Sequence, residues 1–156
     1  MKRFGLFQLG TLNYALSLLQ IQKILQGSES YKLPRLPGAV SAVLVDDNRL
    51  IPLLDLGWIL KESFQQEVAQ QGYQVLVDSE YGTIALPADM TGRIVAEQKG
   101  ILSDGTMTKE KEFGAVGKFV YQNVEYNVLD INFLAIEMTQ GFWQSRSDTG
   151  GARRHQ

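Results

Sequence analysis

Along most of the chain, apolar and polar positions alternate with a period of two rather than 3.6, which predicts strands. Phe4, Leu6 and Gln8 alternate with Gly5, Phe7 and Leu9, and a second run, Leu12-Asn13-Tyr14-Ala15-Leu16, follows a turn at Gly10-Thr11. Further strands are predicted over Val40–Val45, Arg49–Leu54, Tyr73–Val77, Thr83–Leu86, Arg93–Ala96, Val116–Tyr121 and Val124–Leu129. Asp47-Asn48 and Gln122-Asn123 each set an asparagine, which tolerates positive φ, between two apolar runs, as a tight hairpin requires. The predicted helical pieces are short: Leu18–Leu25, Leu56–Phe64, and Ile131–Met138 closing the fold. Gly27–Pro37 and Ser103–Glu112 are polar, turn-rich loops. Lys109-Glu110-Lys111-Glu112 in the second reads as a solvated face rather than a binding site.

The chain also repeats itself. A shift of 75 residues lays Ala42–Leu56 on Gly117–Ile131 without a gap, so that small, apolar, turn and Leu-Asp positions coincide. A shift of 70 brings Phe7, Ala15 and Leu16 onto Val77, Ala85 and Leu86. Two copies of one small β unit explain this register better than chance likeness between strand-rich segments. Each copy holds about five short strands, too few apolar positions to be comfortable alone, so the copies are expected to pack as two small barrels.

Composition narrows the chemistry. At 156 residues with 44% hydrophobic and 21% charged, the chain makes one ordinary domain or two very small ones sharing a core. It has no cysteine, which removes disulfides, thiolate metal sites and cysteine nucleophiles together. Its single histidine, His155, lies next to the C-terminus, so neither a Ser-His-Asp triad nor a histidine-ligated metal has a plausible partner. No cofactor is expected. The net charge is −2, and without the Arg-containing segment from Thr139 onward it is −4, so there is no electrostatic footprint for nucleic acid. Met1-Lys2-Arg3 followed by apolar residues superficially resembles a secretory signal, but Gln8, Asn13 and Gln20 interrupt the run. No stretch approaches the ~20 apolar residues of a membrane span. A soluble cytoplasmic protein without direct membrane insertion is the expectation.

At this point the residues reach a family. Phe7-Gln8-Leu9-Gly10 with Tyr14-Ala15-Leu16, Ile21-Gln22-Lys23-Ile24-Leu25, Leu33-Pro34-Arg35-Leu36-Pro37 and Leu50-Ile51-Pro52-Leu53-Leu54-Asp55-Leu56 resemble the CheW-like domain of bacterial chemotaxis. In the second half, Ala85-Leu86-Pro87-Ala88-Asp89 falls where the family usually has Gly-Leu-Leu-Val-Asp, and Val128-Leu129-Asp130 with Phe133-Leu134 matches its closing strand and helix. The resemblance implies an all-β fold of two five-stranded, SH3-like barrels related by a pseudo-twofold, with short helices including one near the C-terminus. It implies a non-catalytic adaptor joining chemoreceptor cytoplasmic tips to a regulatory domain of a CheA-type histidine kinase. On this reading the domain occupies residues 1–138, as two intertwined halves with a boundary near 57–72, and 139–156 form a disordered tail.

The sequence also departs from the family. The usual Asn-Leu-Arg-Gly lands on Val45-Asp46-Asp47-Asn48; Asn48 can replace glycine at a positive-φ turn, but the arginine has become Asp47, with Asp46 beside it. In the family this loop is tied to receptor and kinase coupling. Val45, Asp46, Asp47, Asn48 and Arg49, with Trp58, are therefore the expected partner-binding residues, and the two aspartates are expected to be solvated charges that favour a basic partner. Pro87 interrupts a predicted strand, which places that strand at an edge or a bulge.

Other residues invite sharper readings. Asp55 and Asp130 could divide acid and base roles, yet each follows a strand, opens a helical run and occupies the equivalent place in its copy, which favours capping of free backbone N–H groups. The scattered glycines lack phosphate-loop spacing. Tyr121 and Tyr126, beside Phe119, could stack on single-stranded nucleic acid, but no basic groove surrounds them and packing is the better reading. Trp58 is either a packing residue or an exposed anchor, and Phe142-Trp143 either fold back or dock on a second molecule. The reading of a different class is a small-barrel module binding a ligand or nucleic acid outside chemotaxis, resting on architecture alone.

Overall fold

The computed structural model of the chain describes residues 2–57, 72–104 and 115–139. Among them, a first run of strands is β1 (Arg3–Leu9), β2 (Leu12–Ser17), β3 (Ile21–Gln26), β4 (Ser30–Tyr31), β5 (Val40–Asp46) and β6 (Arg49–Leu54). The second run is β7 (Tyr73–Ser79), β8 (Gly82–Ala88), β9 (Met90–Ala96), β10 (Ile101–Asp104), β11 (Ala115–Tyr121) and β12 (Val124–Leu129), followed by helix α1 (Ile131–Glu137).

The strands form two sheets of the same plan, ordered β10-β11-β12-β2-β1-β9 and β4-β5-β6-β8-β7-β3. Each run therefore lends its first hairpin to the last four strands of the other. The register repeats at residue level. Val128 pairs in parallel with Ala15, and Leu53 with Ala85. The β1–β9 ladder shifts register between Gly5 and Phe7, and the β7–β3 ladder shifts opposite Val77 and Leu76, at corresponding places. The β5–β6 ladder shifts between Val40 and Ala42, and the β11–β12 ladder between Ala115 and Gly117, which lie 75 residues further on.

The exchange explains why the hairpin strands read as nearly continuous apolar runs: they are buried on both faces. Phe4, Leu6 and Ala15 point into the first barrel with Val95, Phe119 and Val128. Leu76 and Ala85 point into the second with Ala42, Leu44, Ile51 and Leu53. The opposite faces, carrying Phe7, Leu9, Tyr14, Val75, Val77, Ile84 and Leu86, meet in a shared core that α1 closes with Ile131 and Leu134. Burying each such large side chain contributes about 1.5–3 kcal/mol.

Three expectations change. The Leu18–Leu25 segment is not a helix but a 3-10 turn (Leu18–Gln20) leading into β3, because the chain there must close the second barrel against β7. Each sheet counts six strands rather than five: β4 lies inside the expected Gly27–Pro37 loop, and β10 overlaps the start of the Ser103–Glu112 loop. Pro87 is not at a sheet edge or a bulge, since β8 lies between β7 and β6. It is tolerated because β6 bridges β8 only at Leu53–Ala85, leaving no partner for an N–H at Pro87 on that side. Pro52 accounts for that short contact, because it has no N–H with which to repeat the second bridge, Asn127–Tyr14, that its 75-residue counterpart makes.

Candidate interaction surface

Five of the six residues marked for partner contact lie on the β5–β6 hairpin. Asp47 (φ 50) and Asn48 (φ 60) both take the left-handed region, the two-residue corner whose twist matches the flanking strands. Gln122 (φ 51) and Asn123 (φ 64) repeat it between β11 and β12. Behind the corner, Val45 pairs with Leu50, and both remain exposed as an apolar pair on the outer face.

The charges are not arranged as the sequence suggests. Asp46 turns back onto β3: its Oδ2 lies 2.9 Å from Lys23 Nζ and 3.6 Å from Arg49 Nη2, and its side chain is only 15% exposed. Asp47, with 79% of its side chain exposed, approaches Lys23 only to 3.9 Å. The hydrogen bond to Asp46 is the main cause that raises the Lys23 ammonium above the ordinary lysine pKa; desolvation opposes it and the nearby carboxylates add to it. Arg49 donates from Nη2 to Gln22 Oε1 (3.0 Å) and from Nη1 to Thr83 Oγ1 (3.1 Å). Gln22 Nε2 and Thr83 Oγ1 in turn donate to Asp78 Oδ1 at 2.9 and 3.2 Å. Thus Asp46 is already neutralised within the chain, and Asp47 is the carboxylate that projects. The expectation of two solvated charges is corrected to one.

Lys23, Gln22, Asp78 and Thr83 belong to this surface although nothing in the sequence marks them for contact. They come together only through the β3–β7 and β7–β8 pairings, and β3 is the strand whose pattern looks helical. Trp58 and Phe142-Trp143 lie outside the described residues.

The other carboxylates serve the scaffold. Asp130 Oδ1 accepts from Phe133 N at 3.1 Å and caps α1, as expected. The matching acceptor contact after Asp55 would involve residue 58, outside the described residues. Asp89 Oδ2 accepts from Gly10 N at 2.6 Å, and Asp89 N donates to Gln8 O at 2.8 Å, tying the β8–β9 corner to the β1–β2 turn. Tyr121 and Tyr126 pack, half-buried, against the first barrel core. Among the described residues, no group of three histidine or acidic side chains could hold a metal ion, and no helix is long and apolar enough to cross a membrane.

Compared with known proteins, residues 3–117 match the model of the CheW-like domain. The chain belongs to the CheW-like domain family. Among solved structures, it is similar to the scaffolding protein TtCheW from Thermoanaerobacter tengcongensis, with a TM-score of 0.72 over 85% of this chain and 91% of that one at 15% identity. No curated protein sequence matches. The CheW-like fold read from the motifs, two SH3-like barrels about a pseudo-twofold with a C-terminal helix, is the fold observed. The family match ends at Gly117, inside β11, and the structural likeness continues the CheW-like frame beyond it.

Proposed function

We propose that this CheW-like protein is a non-catalytic adaptor of chemosensory signalling, joining the cytoplasmic tip of a chemoreceptor to the regulatory domain of a CheA-type histidine kinase on the cytoplasmic side of the membrane. The family match, which spans the first copy of the repeat and the second as far as Gly117, carries this reading. The surface agrees with it. Among the described residues, the outermost strands β3, β4, β9 and β10 each pair on one side alone, which suits strand addition, and they expose Ile24, Tyr31, Ile94, Ile101 and Leu102. These are features of docking by apolar contact and edge complementarity rather than of a reaction centre.

Within this reading, Val45, Asp47, Asn48 and Arg49 form the contact face of the β5–β6 hairpin, Asp46 holds it in shape, and Trp58 is a further contact. Titration calorimetry against cognate kinase regulatory domains and receptor tips tests the adaptor role, with micromolar dissociation constants expected. Failure of a folded sample to bind any of them overturns it. Asp47→Arg alone, which leaves the Asp46–Lys23 pair intact, is expected to shift affinity for receptor tips by roughly three- to fivefold, with a smaller shift at high salt. Equal affinities at both salt levels would remove Asp47 from the contact face.

A further inference from the structure

The two barrels place equivalent residues around one notch and fill it differently. In the second barrel the notch between β3, the β7–β8 hairpin and the β5–β6 corner is closed by the chain's own charges, Lys23 and Arg49 against Asp46, with Gln22, Thr83 and Asp78 completing the network. In the first barrel the offsets of 70 and 75 put Arg93 in the place of Lys23, Tyr121 in that of Asp46, Gln122 in that of Asp47, Val124 in that of Arg49, Gln8 in that of Asp78 and Asn13 in that of Thr83. Each of the three carboxylates is replaced by an uncharged side chain. One cation stays.

What results is an open cavity of about 270 Å³ in place of an ion network, with all six of these residues on its walls. Arg93 Nη1 donates to Tyr121 Oη at 3.3 Å, and among the described residues Arg93 meets no carboxylate. Tyr121, Val124 and Tyr126 give the lining apolar surface beside the amides of Gln8, Asn13 and Gln122. At Gly92 a Cβ would lie 2.6 Å from Leu6 O, so this position admits no side chain, whereas its counterpart Gln22 occupies the notch of the other barrel.

We propose that this cavity binds a carboxylate carried on a small apolar body, with Arg93 forming to the ligand the ion pair that Lys23 forms to Asp46 within the chain. A single guanidinium with no second cation suits a monoanion rather than a phosphate dianion, and its planar fork matches a carboxylate. The volume lies just below the usual range of drug-sized ligand sites, which suits a small ligand. Two sources carry this chemistry, a free arylalkanoic acid and an acidic side chain beside an apolar one in a polypeptide. The inference does not rest on the adaptor reading.

The test is an NMR titration of the full chain, following the Arg93 side-chain Nε–H and the amides of Thr91, Arg93 and Gln122. One arm uses phenylacetate and the other a blocked Phe-Glu dipeptide. Saturable shifts are expected with at least one probe and none with phenylacetamide. The arm that binds more tightly identifies the source. Arg93→Gln, at an exposed position, is expected to weaken binding about tenfold or more, and Lys23→Gln to leave it unchanged. Tyr121→Asp restores the internal carboxylate and is expected to block the site as Arg93→Gln does. The proposal is overturned if neither probe gives saturable shifts up to about 10 mM, if phenylacetamide shifts the same resonances equally, or if Arg93→Gln binds as the wild type does.

Discussion

Tyr14 shows how much of the fold can hang on one side chain. Its ring is fully buried in the shared core and stacks against Phe7 at 5.4 Å, while its hydroxyl donates to Pro87 O at 2.9 Å across 73 residues of sequence. Burial, with Asp89 adding, raises the Tyr14 pKa well above the ordinary tyrosine value, so the group remains a neutral donor wherever the protein is folded. Tyr14→Phe keeps the ring and strips a buried carbonyl of its donor. Urea unfolding is expected to show a loss of about 1–2 kcal/mol at unchanged slope; no loss would mean that another donor reaches Pro87. The apolar character of Tyr14 is visible in the sequence, whereas its partner is not. The same limit governs the candidate site, where Asp46 and Asp47 stand out as adjacent charges and Lys23, which neutralises Asp46, is separated from them by a ladder that only the structure supplies.

Elements with their own local signal read well and those defined by a distant partner read poorly. The asparagine corners at Asn48 and Asn123 fix two hairpins because positive φ is a property of a few residues in a row. By contrast, β3 has apolar residues at Ile21, Ile24 and Leu25, a helical spacing. It arises because Ile24 faces outward from an edge strand while Lys23 is half-buried in the ion cluster, inverting the normal alternation. Gly100, between a 3-10 turn (Glu97–Lys99) and β10, is not singled out by any pattern in the sequence. A Cβ there would lie 2.5 Å from Val120 O and 2.6 Å from Phe119 Cζ, so the glycine is what lets β10 reach β11. Gly100→Ala is expected to cost about 1–3 kcal/mol and to lower the thermal midpoint by several degrees. A midpoint equal to that of the wild type would show that β10 can withdraw at no cost.

At the scale of the molecule, the repeat is legible from the residues themselves, whereas the exchange enters only through the family resemblance, because sliding a chain on itself reveals likeness but not which copy pairs with which. Cutting between residues 57 and 72 gives one piece with β3–β6 but no β7–β8 hairpin, and another with β9–β12 but no β1–β2 hairpin. Neither piece is expected to unfold cooperatively alone, and an equimolar mixture is expected to regain a single transition whose midpoint rises with concentration; a sharp transition from either piece would refute this. The exchange also has a consequence in time. Asn127 Nδ2 donates to Asn13 O across 114 residues of chain. At about 5–20 residues per second of synthesis, β2 waits roughly 6–23 s for β12. Throughout that interval the face of the hairpin that carries Phe4, Leu6 and Ala15 lacks the Phe119 and Val128 that enclose it. The segment made earliest is thus the last to be enclosed, and a nascent-chain chaperone or a second unfinished copy has those seconds in which to capture it.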